Sequence, residues 1–589
     1  MLNYKNNHGR EWRKVRYQHS AICSVVVPER FGVRFVLACG ALSLVSTAHG
    51  VELGSDPDWQ IKWDNTIAYT IGSRVKNADS RIATNVNFDE SDNRFADAGD
   101  LVTNRLSLLS EFDVIFKENV GFRLSASGWK DIAYDDSSKT APGDFVPGVS
   151  YRDVASYDNR KYSSYTRHNY VQGAEVLDAF MFSGFDVAGH RVDLKFGQFT
   201  QYWGNSIYQG FHSISYSQSP LDLGKSLSNP GARLNELFLP RQQVSAQFQL
   251  APELSLAAQY FFDWDHDRLP EGGTYLGFAD FLFDGPDKGF FGQFDPVSGA
   301  PLLVPRGKSV EPSNRNGNFG LALRWSPEAL RGTLGAYYRH FDETQPWAPL
   351  LGVDPSSGAL NYHLAYAKGV DMFALSLDKQ IGDYSTGFEL SYRHNTALMS
   401  STGPLLTDMS GSEGARGNTL HAIANVAIGL TPTRFYDTGT AVAELAWGHL
   451  LSVTKNKELY NGKGSAACQR KWDGCSTDDV VNLSFQFEPQ WLQPIAGVDL
   501  SLPINGTYGV YGNGATLSSG YQGSLTYSVG LSADIQRQYK VKLAYNGYYY
   551  RPGSQSSYTP GGAEHYDSGN GYYWLNDRDW VSLTFQSTF

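Results

Sequence analysis

Asp579-Trp-Val-Ser-Leu-Thr-Phe-Gln-Ser-Thr-Phe589 is the stretch whose reading decides the fold. Side chains on a strand point to opposite faces in turn. Val581, Leu583, Phe585 and Phe589 therefore share one face, and Ser582, Thr584, Gln586 and Thr588 share the other. An apolar outside, a polar inside and a terminal aromatic residue fit the closing strand of an outer-membrane β-barrel. The edge strand of a soluble sandwich has the same period, so the decision rests on the remaining chain.

Working back from that strand, the same pattern recurs from Asp58 onward. Val481, Leu483, Phe485 and Phe487 oppose Asn482, Ser484, Gln486 and Glu488; Val498, Leu500, Leu502 and Ile504 oppose Asp499, Ser501, Pro503 and Asn505. Connections alternate in length. A strand near Asp58 to Ser73 is followed by a long polar stretch to Asp100, and a strand over Leu101 to Phe116 turns at Lys117-Glu-Asn119 into one from Gly121 to Ile132. Val176 to Phe185 and Arg191 to Phe199 are joined tightly, whereas the chain after Trp264 runs irregularly through Gly, Pro and Asp. A sandwich has no reason to keep long and short connections in turn, but a barrel with external loops and periplasmic turns does. The expected fold is all-β: one transmembrane antiparallel barrel of roughly 18 strands (about 14 to 18), spanning residues 51–589. Tyr548-Tyr-Tyr550 suits an aromatic girdle or a loop mouth.

Composition agrees with that architecture. Hydrophobic residues make up 41% and aromatics 14% of the 589, yet the mean hydropathy is -0.36, because a barrel disperses its apolar face in alternation. A net charge of -11 argues against a nucleic-acid surface, which is basic. Residues 1–50 read as an export leader: Arg10, Arg13, Lys14, Arg16, Arg30 and Arg34 precede the apolar run Phe35 to Val45, and Ala48-His49-Gly50 offers a cleavage site. Cys39 lies in a lipoprotein-like context, but almost no apolar run precedes it. In the mature chain Cys468 and Cys475 read as one disulfide closing a short external loop; a metal pair is the rival, and a closed zinc site wants four ligands.

Two constellations carry the candidate chemistry. Arg105, Glu111 and Asp113 share the polar face of one strand, and Arg123 and Asp131 lie on the returning strand. Opposite charges on adjacent strands read as a structural ladder or as a lining that screens solutes. The second is the connection 200–240, with Trp203-Gly204, Pro220-Leu-Asp222 and Asn229-Pro-Gly-Ala-Arg-Leu-Asn-Glu-Leu-Phe-Leu-Pro240. Asn229 as a cap with Pro230 at the first helical position predicts a short helix that places Arg233 and Glu236 on one face. Folded inward this segment constricts the lumen; folded outward it is a lid.

The stretch Phe95-Ala-Asp-Ala-Gly-Asp-Leu-Val-Thr-Asn-Arg105, with Glu111-Phe-Asp113, Leu177-Asp-Ala-Phe180, Phe196-Gly-Gln198, Trp203-Gly204, Pro230-Gly231 and Glu236 to Pro240, resembles the proteobacterial family DUF1302. The resemblance runs over nearly the whole mature chain. It implies a Gram-negative outer-membrane protein in contact with outer-membrane lipid, encoded near a periplasmic or lipoprotein partner and a resistance-nodulation-division (RND) type inner-membrane transporter. It also implies passage of a hydrophobic or amphipathic small molecule or lipid; a selective porin for polar solutes is the alternative. By resemblance to other outer-membrane barrels, Phe589 is a recognition signal for the barrel-insertion machinery. The family tends to have an acidic residue after Trp-Gly where this chain has Asn205, so no role of that carboxylate transfers.

Enzyme signatures are poor. No Gly-x-Ser-x-Gly, phosphate-binding glycine loop or His-Glu-x-x-His occurs, and the 13 histidines show no metal-ligand spacing, so no catalytic residue, metal or cofactor is expected. His212-Ser213 is the one hint of a hydrolase, and long Tyr- and Asp-rich loops would suit an adhesin.

Overall fold

The computed structural model describes residues 51–52, 56–140, 155–229, 237–297, 299, 301–312, 316–347, 350–354, 358–401, 413–462, 468, 470–557 and 561–589. The export leader with Cys39, and the constriction residues Arg233 and Glu236, lie outside these.

Eighteen strands close into one antiparallel barrel. They are β1 (Trp59–Arg74), β2 (Leu101–Phe116), β3 (Val120–Asp131), β4 (Gln172–Val187), β5 (His190–Phe199) and β6 (Arg241–Ala251). Next come β7 (Leu254–Phe261), β8 (Phe319–Trp325), β9 (Gly332–Phe341), β10 (Val370–Ile381), β11 (Tyr384–Ala397) and β12 (Arg416–Gly429). The last six are β13 (Thr438–Lys455), β14 (Asp479–Ile495), β15 (Val498–Ser501 continued by Ile504–Tyr511), β16 (Leu525–Ile535), β17 (Tyr539–Tyr549) and β18 (Trp580–Thr588).

Closure is made by the opening stretch of sequence. β18 pairs with β1 from Thr66 opposite Thr588 to Arg74 opposite Trp580, and Asn65 and Phe589 exchange both backbone hydrogen bonds, at 2.7 and 2.8 Å. Every barrel strand then has two neighbours, so no edge is left to aggregate. One strand differs from its sequence reading. β15 is interrupted at Leu502-Pro503, because proline has no N–H to donate to the ladder.

Long and short connections alternate throughout. At the short end the two central residues of a turn take left-handed backbone, as Lys117 and Glu118 (φ 49 and 58) and Gln536 and Arg537 (φ 56 and 56) show. Such turns match the right-handed twist of the strands they join. Outward positions carry an apolar band: Leu106 is 54%, Met181 61%, Phe196 54% and Leu375 58% exposed. An apolar band on a closed barrel is the surface that a bilayer covers.

The long connections are not plain loops. The stretch after Trp264 contains a hairpin, Lys288–Phe294 with Pro301–Pro305, and Leu350–Val353 pairs with Leu360–His363. The Tyr548 to Tyr550 run divides, with Tyr549 exposed and Tyr548 and Tyr550 buried among other loop aromatics. Cys468 and Cys475 form a disulfide with Cα atoms 5.4 Å apart, within the ordinary range for that bond.

Candidate functional site

Residues 203–218 of the connection between β5 and β6 fold inward and pack against the wall from β7 to β14. They start near the β5 root, where Gln218 Oε1 accepts from the Trp203 N–H at 3.0 Å and Gln218 Nε2 donates to Gln259 on β7 at 2.9 Å. Trp203 is 1% exposed, among Ile214, Tyr216 and Tyr337. Its ring lies on Gly320 of β8, where a Cβ would come within 2.5 Å of it. The glycine makes room for the tryptophan.

Farther round the wall, two carboxylates hold the segment by its backbone. Glu389 on β11 accepts from the N–H groups of Asn205, of Ser206 at 2.8 Å and of Ile214 at 2.7 Å. Glu444 on β13 accepts from Ile207, Tyr208 and Gln209 at 2.6, 2.8 and 2.7 Å, and from the Ser206 hydroxyl at 3.0 Å. Both are almost fully buried. A buried carboxylate is tolerable only when its lone pairs are filled, and successive amides on an irregular chain fill them.

The segment's carbonyls are met by buried arginines. Arg339 on β9 donates to Ile214 and Tyr216 at 2.7 and 2.6 Å, and Arg393 on β11 donates to Ser213 at 3.2 Å. On β14, Gln486 accepts from the Tyr208 hydroxyl at 2.6 Å and Ser484 from Gln209 Nε2 at 2.5 Å. His212 lies with Nδ1 at 3.0 Å from His421 Nδ1 and Nε2 at 2.8 Å from the Ser519 carbonyl. Burial pushes its imidazole down to about 4, so it is neutral at neutral pH. Ser213 bonds Gly210 and Ser215 instead of a histidine.

The wall from β2 to β4 keeps its side chains partly open. Arg123 on β3 engages Glu111 and Asp113 of β2, the latter at 3.0 Å, and Asp178 of β4 at 3.3 Å. These four side chains are 22 to 30% exposed, whereas Glu389, Arg393 and Glu444 are 0 to 4% exposed as residues. Three carboxylates meet Arg123, and Lys195 of β5 stands beside them with its Nζ 3.6 Å from the Phe180 ring, which leaves the cluster acidic by one charge. Above it, Arg268 bridges Glu175 at 2.7 Å and Asp222 at 3.4 Å, and the Arg105 guanidinium lies 5.0 Å from the Trp129 ring.

The long loops pack over the other end. Phe95, Tyr134, Tyr157, Tyr275, Tyr521 and Tyr573, drawn from five connections, share one buried cluster. Beneath it Arg74 binds Asp92 at 2.9 Å and Asp577 at 3.1 Å, and the Arg578 guanidinium lies 3.7 Å from Asp92. Arg578 also donates to the carbonyls of Tyr275 and Gly277 at 3.0 and 2.9 Å. Burial raises Asp577 and Asp280 to about 7 each, and Glu271 to about 7 with Asp284 adding to the effect.

The sequence-derived candidates are thus dispersed. Glu111, Asp113 and Arg123 meet on one wall. Asp131 is buried instead, accepting from Thr103 Oγ1 at 2.6 Å and from the amides of Asn104 and Ala133 at 2.8 and 2.9 Å. It organises the end of β3. Trp203 is an anchor and does not line a passage. The helix expected after Asn229 falls on residues 230–236, outside the described residues; ahead of it lies a described helix, Leu223–Ser228, capped by Asp222, whose side chain accepts from Lys225 N, with Asn229 as its C-cap. Pro220-Leu-Asp222 held that cap signal. Glu389 and Glu444 were missed; their one mark in the sequence is a lone carboxylate on the lumen-facing parity of a strand.

A family model described as protein of unknown function, DUF1302, matches residues 31–589. The chain belongs to the DUF1302 family. In this DUF1302 member, Asn205 follows Trp203-Gly204 and gives its backbone N–H to Glu389. No curated protein matches the chain. Among solved structures it is similar to Acinetobacter baumannii OccAB4, at 7% identity and TM-score 0.38, covering 90% of this chain and 98% of that one. It is also similar to Pseudomonas aeruginosa OpdK with vanillate, at 11% and 0.37 over 90% and 98%. The outer membrane channel DcaP of A. baumannii matches at 10% and 0.35 over 91% and 99%. Likenesses this remote say nothing about what this chain carries.

Proposed function

We propose that the protein is a gated, porin-like channel of the Gram-negative outer membrane that passes small polar or charged solutes along the β2–β4 wall. The observation that carries this reading is the division of the lumen. The 200–222 segment seals Glu389, Arg393 and Glu444 on one side, while Arg123, Glu111, Asp113 and Asp178 stay partly open on the other. A barrel of this width has room for an aqueous passage beside such a segment. Charged side chains of both signs suit a hydrated solute and favour the polar-solute alternative over the hydrophobic or amphipathic cargo that the family resemblance implies.

The test is ion and solute flux. Protein in planar bilayers under a KCl gradient should give a reversal potential on the cation-selective side, because three carboxylates outnumber Arg123 and Lys195 on the open wall. Absence of any conductance between pH 5.5 and 8.5, with lipid transfer between vesicles instead, would return the reading to hydrophobic cargo. Coupling to a periplasmic partner and an RND-type transporter belongs to this proposal through the resemblance; affinity capture from native envelopes tests it.

A further inference from the structure

The external lid contains a carboxyl pair for which the pore chemistry has no use. Glu90 sits on the short helix Asp89–Arg94, in the loop after β1, and Asp280 sits in the loop after β7. The Glu90 backbone N–H donates to Asp280 Oδ2 at 3.1 Å, and the Asp280 N–H donates to the Asn87 carbonyl at 2.7 Å. Glu90 Oε1 accepts from the Ser156 N–H at 2.5 Å, which ties in the loop after β3. One glutamate therefore joins three loops. Both residues are at most 1% exposed, and Glu90 Oε2 and Asp280 Oδ1 are buried without a hydrogen-bond partner.

The surroundings only partly offset this pair. From its own helix Glu90 is faced by Asp89 and from the loop after β7 by Asp280, while Asp280 is faced by Asp92; Tyr157 lies near both Glu90 and Glu271. From the loop after β3 come the Tyr157 and Tyr162 hydroxyls, which are directed to the carbonyls of Gly272 and Gly273. From the last loop comes Arg578, the one cation that these interactions bring to Asp280; it is shared, since its guanidinium is engaged by two carbonyls, lies 3.7 Å from Asp92 and stands beside Asp577. Two carboxylates this deep cannot both be ionised without a cation or a proton. Among the described residues no group of three or more acidic, His or Cys side chains could hold a metal ion.

We propose that the Glu90–Asp280 pair is a proton latch that holds the loops after β1, β3 and β7 together over the channel mouth and releases them when the proton is lost. The sign follows from linkage. Burial raises both carboxyls above their ordinary values, Asp280 to about 7. The closed lid thus binds more protons than the open lid. Closure is fully present at acid pH, weakens as pH rises from about 4, and loses about tenfold in the closed-to-open ratio per pH unit for each carboxyl that stays protonated in the closed lid, the Asp280 share ending as it titrates near 7.

The latch is tested by hydrogen–deuterium exchange of the full-length protein in detergent at pH 5.5, 7 and 8.5, corrected for intrinsic exchange. This readout needs no transport, so it separates failure of the latch from failure of the channel reading. Peptides covering 86–95 and 271–285 should gain exchange about tenfold or more between pH 5.5 and 8.5 in the native chain. Glu90→Gln and Asp280→Asn, which keep the shape and remove the charge, should each remove the share of the carboxyl they replace and so diminish the rise. Glu271→Gln should keep the rise at 86–95; at 271–285 it removes a share of its own, since that buried carboxyl is also raised to about 7 and accepts from the Phe283 and Gly285 N–H groups. A native chain with flat exchange overturns the latch, as does an undiminished rise in both Glu90→Gln and Asp280→Asn. A heat-modifiable gel band shows that each variant keeps its barrel.

Discussion

Replacing Glu444 by alanine should undock the lumenal segment without unfolding the barrel. The carboxylate accepts from three successive backbone N–H groups, from a hydroxyl and from Asn425 Nδ2 at 3.1 Å. Without it, the N–H groups of Ile207, Tyr208 and Gln209 lose their partner in a dry site. At about 1–3 kcal/mol for each unsatisfied group, the cost is about 3–9 kcal/mol, and water entering from the lumen makes the lower end the working figure. About 3 kcal/mol lowers the docked population roughly a hundredfold. The wall itself stays paired, because β13 is in unbroken register around Glu444, with β12 from Thr440 to Leu450 and with β14 from Thr438 to His449. Exchange of the 205–209 amides should therefore rise by about two orders of magnitude while the β13 amides stay protected. Glu444→Gln should fall between, since an amide offers one acceptor and turns its NH2 toward N–H donors. Unchanged protection of Ile207 to Gln209 in Glu444→Ala would refute the anchoring argument.

Other perturbations probe neighbouring parts. Trp203→Ala empties a site that is 1% exposed and should cost the segment about 3–5 kcal/mol; Gly320→Val should mimic it by evicting the ring, and both are read as lost protection at 203–216. His212 is held near 4, so its undocked form binds more protons between that value and 6.5. Docking should accordingly weaken as pH falls through this window, by about 3 kcal/mol in all, and be complete above it. His212→Gln should flatten the acid-side rise in exchange at 210–213. Arg123→Gln leaves Glu111, Asp113 and Asp178 without their arginine and should move the reversal potential in a KCl gradient further toward potassium. A shift toward chloride would place the passage elsewhere.

The barrel was legible in the sequence because lipid outside and lumen inside force a period of two on every strand. Val481 to Phe487 and Val581 to Phe585 display it without interruption, and the number of strands followed from it. Pro503 inside β15 is where the pattern continues although the ladder stops. The site was harder to read. Glu111, Asp113 and Arg123 are neighbours through strand pairing, so a local reading assembles them. Glu389 and Glu444 gain meaning only from amides some 180 to 240 positions earlier in the chain. No local period reports a contact between a wall and a folded-in segment. The lid was equally hidden, because Glu90, Ser156 and Asp280 come from three connections whose compositions resemble ordinary loops.

The central claim is that residues 200–222 occupy one side of the lumen and limit the passage beside them. Its most direct test is single-channel conductance at pH 8.5, comparing the native chain with one in which 203–218 is replaced by a short Gly-Ser linker. The account expects a several-fold larger conductance for the replaced chain, with the barrel still heat-modifiable. Equal conductance in two folded proteins would contradict it.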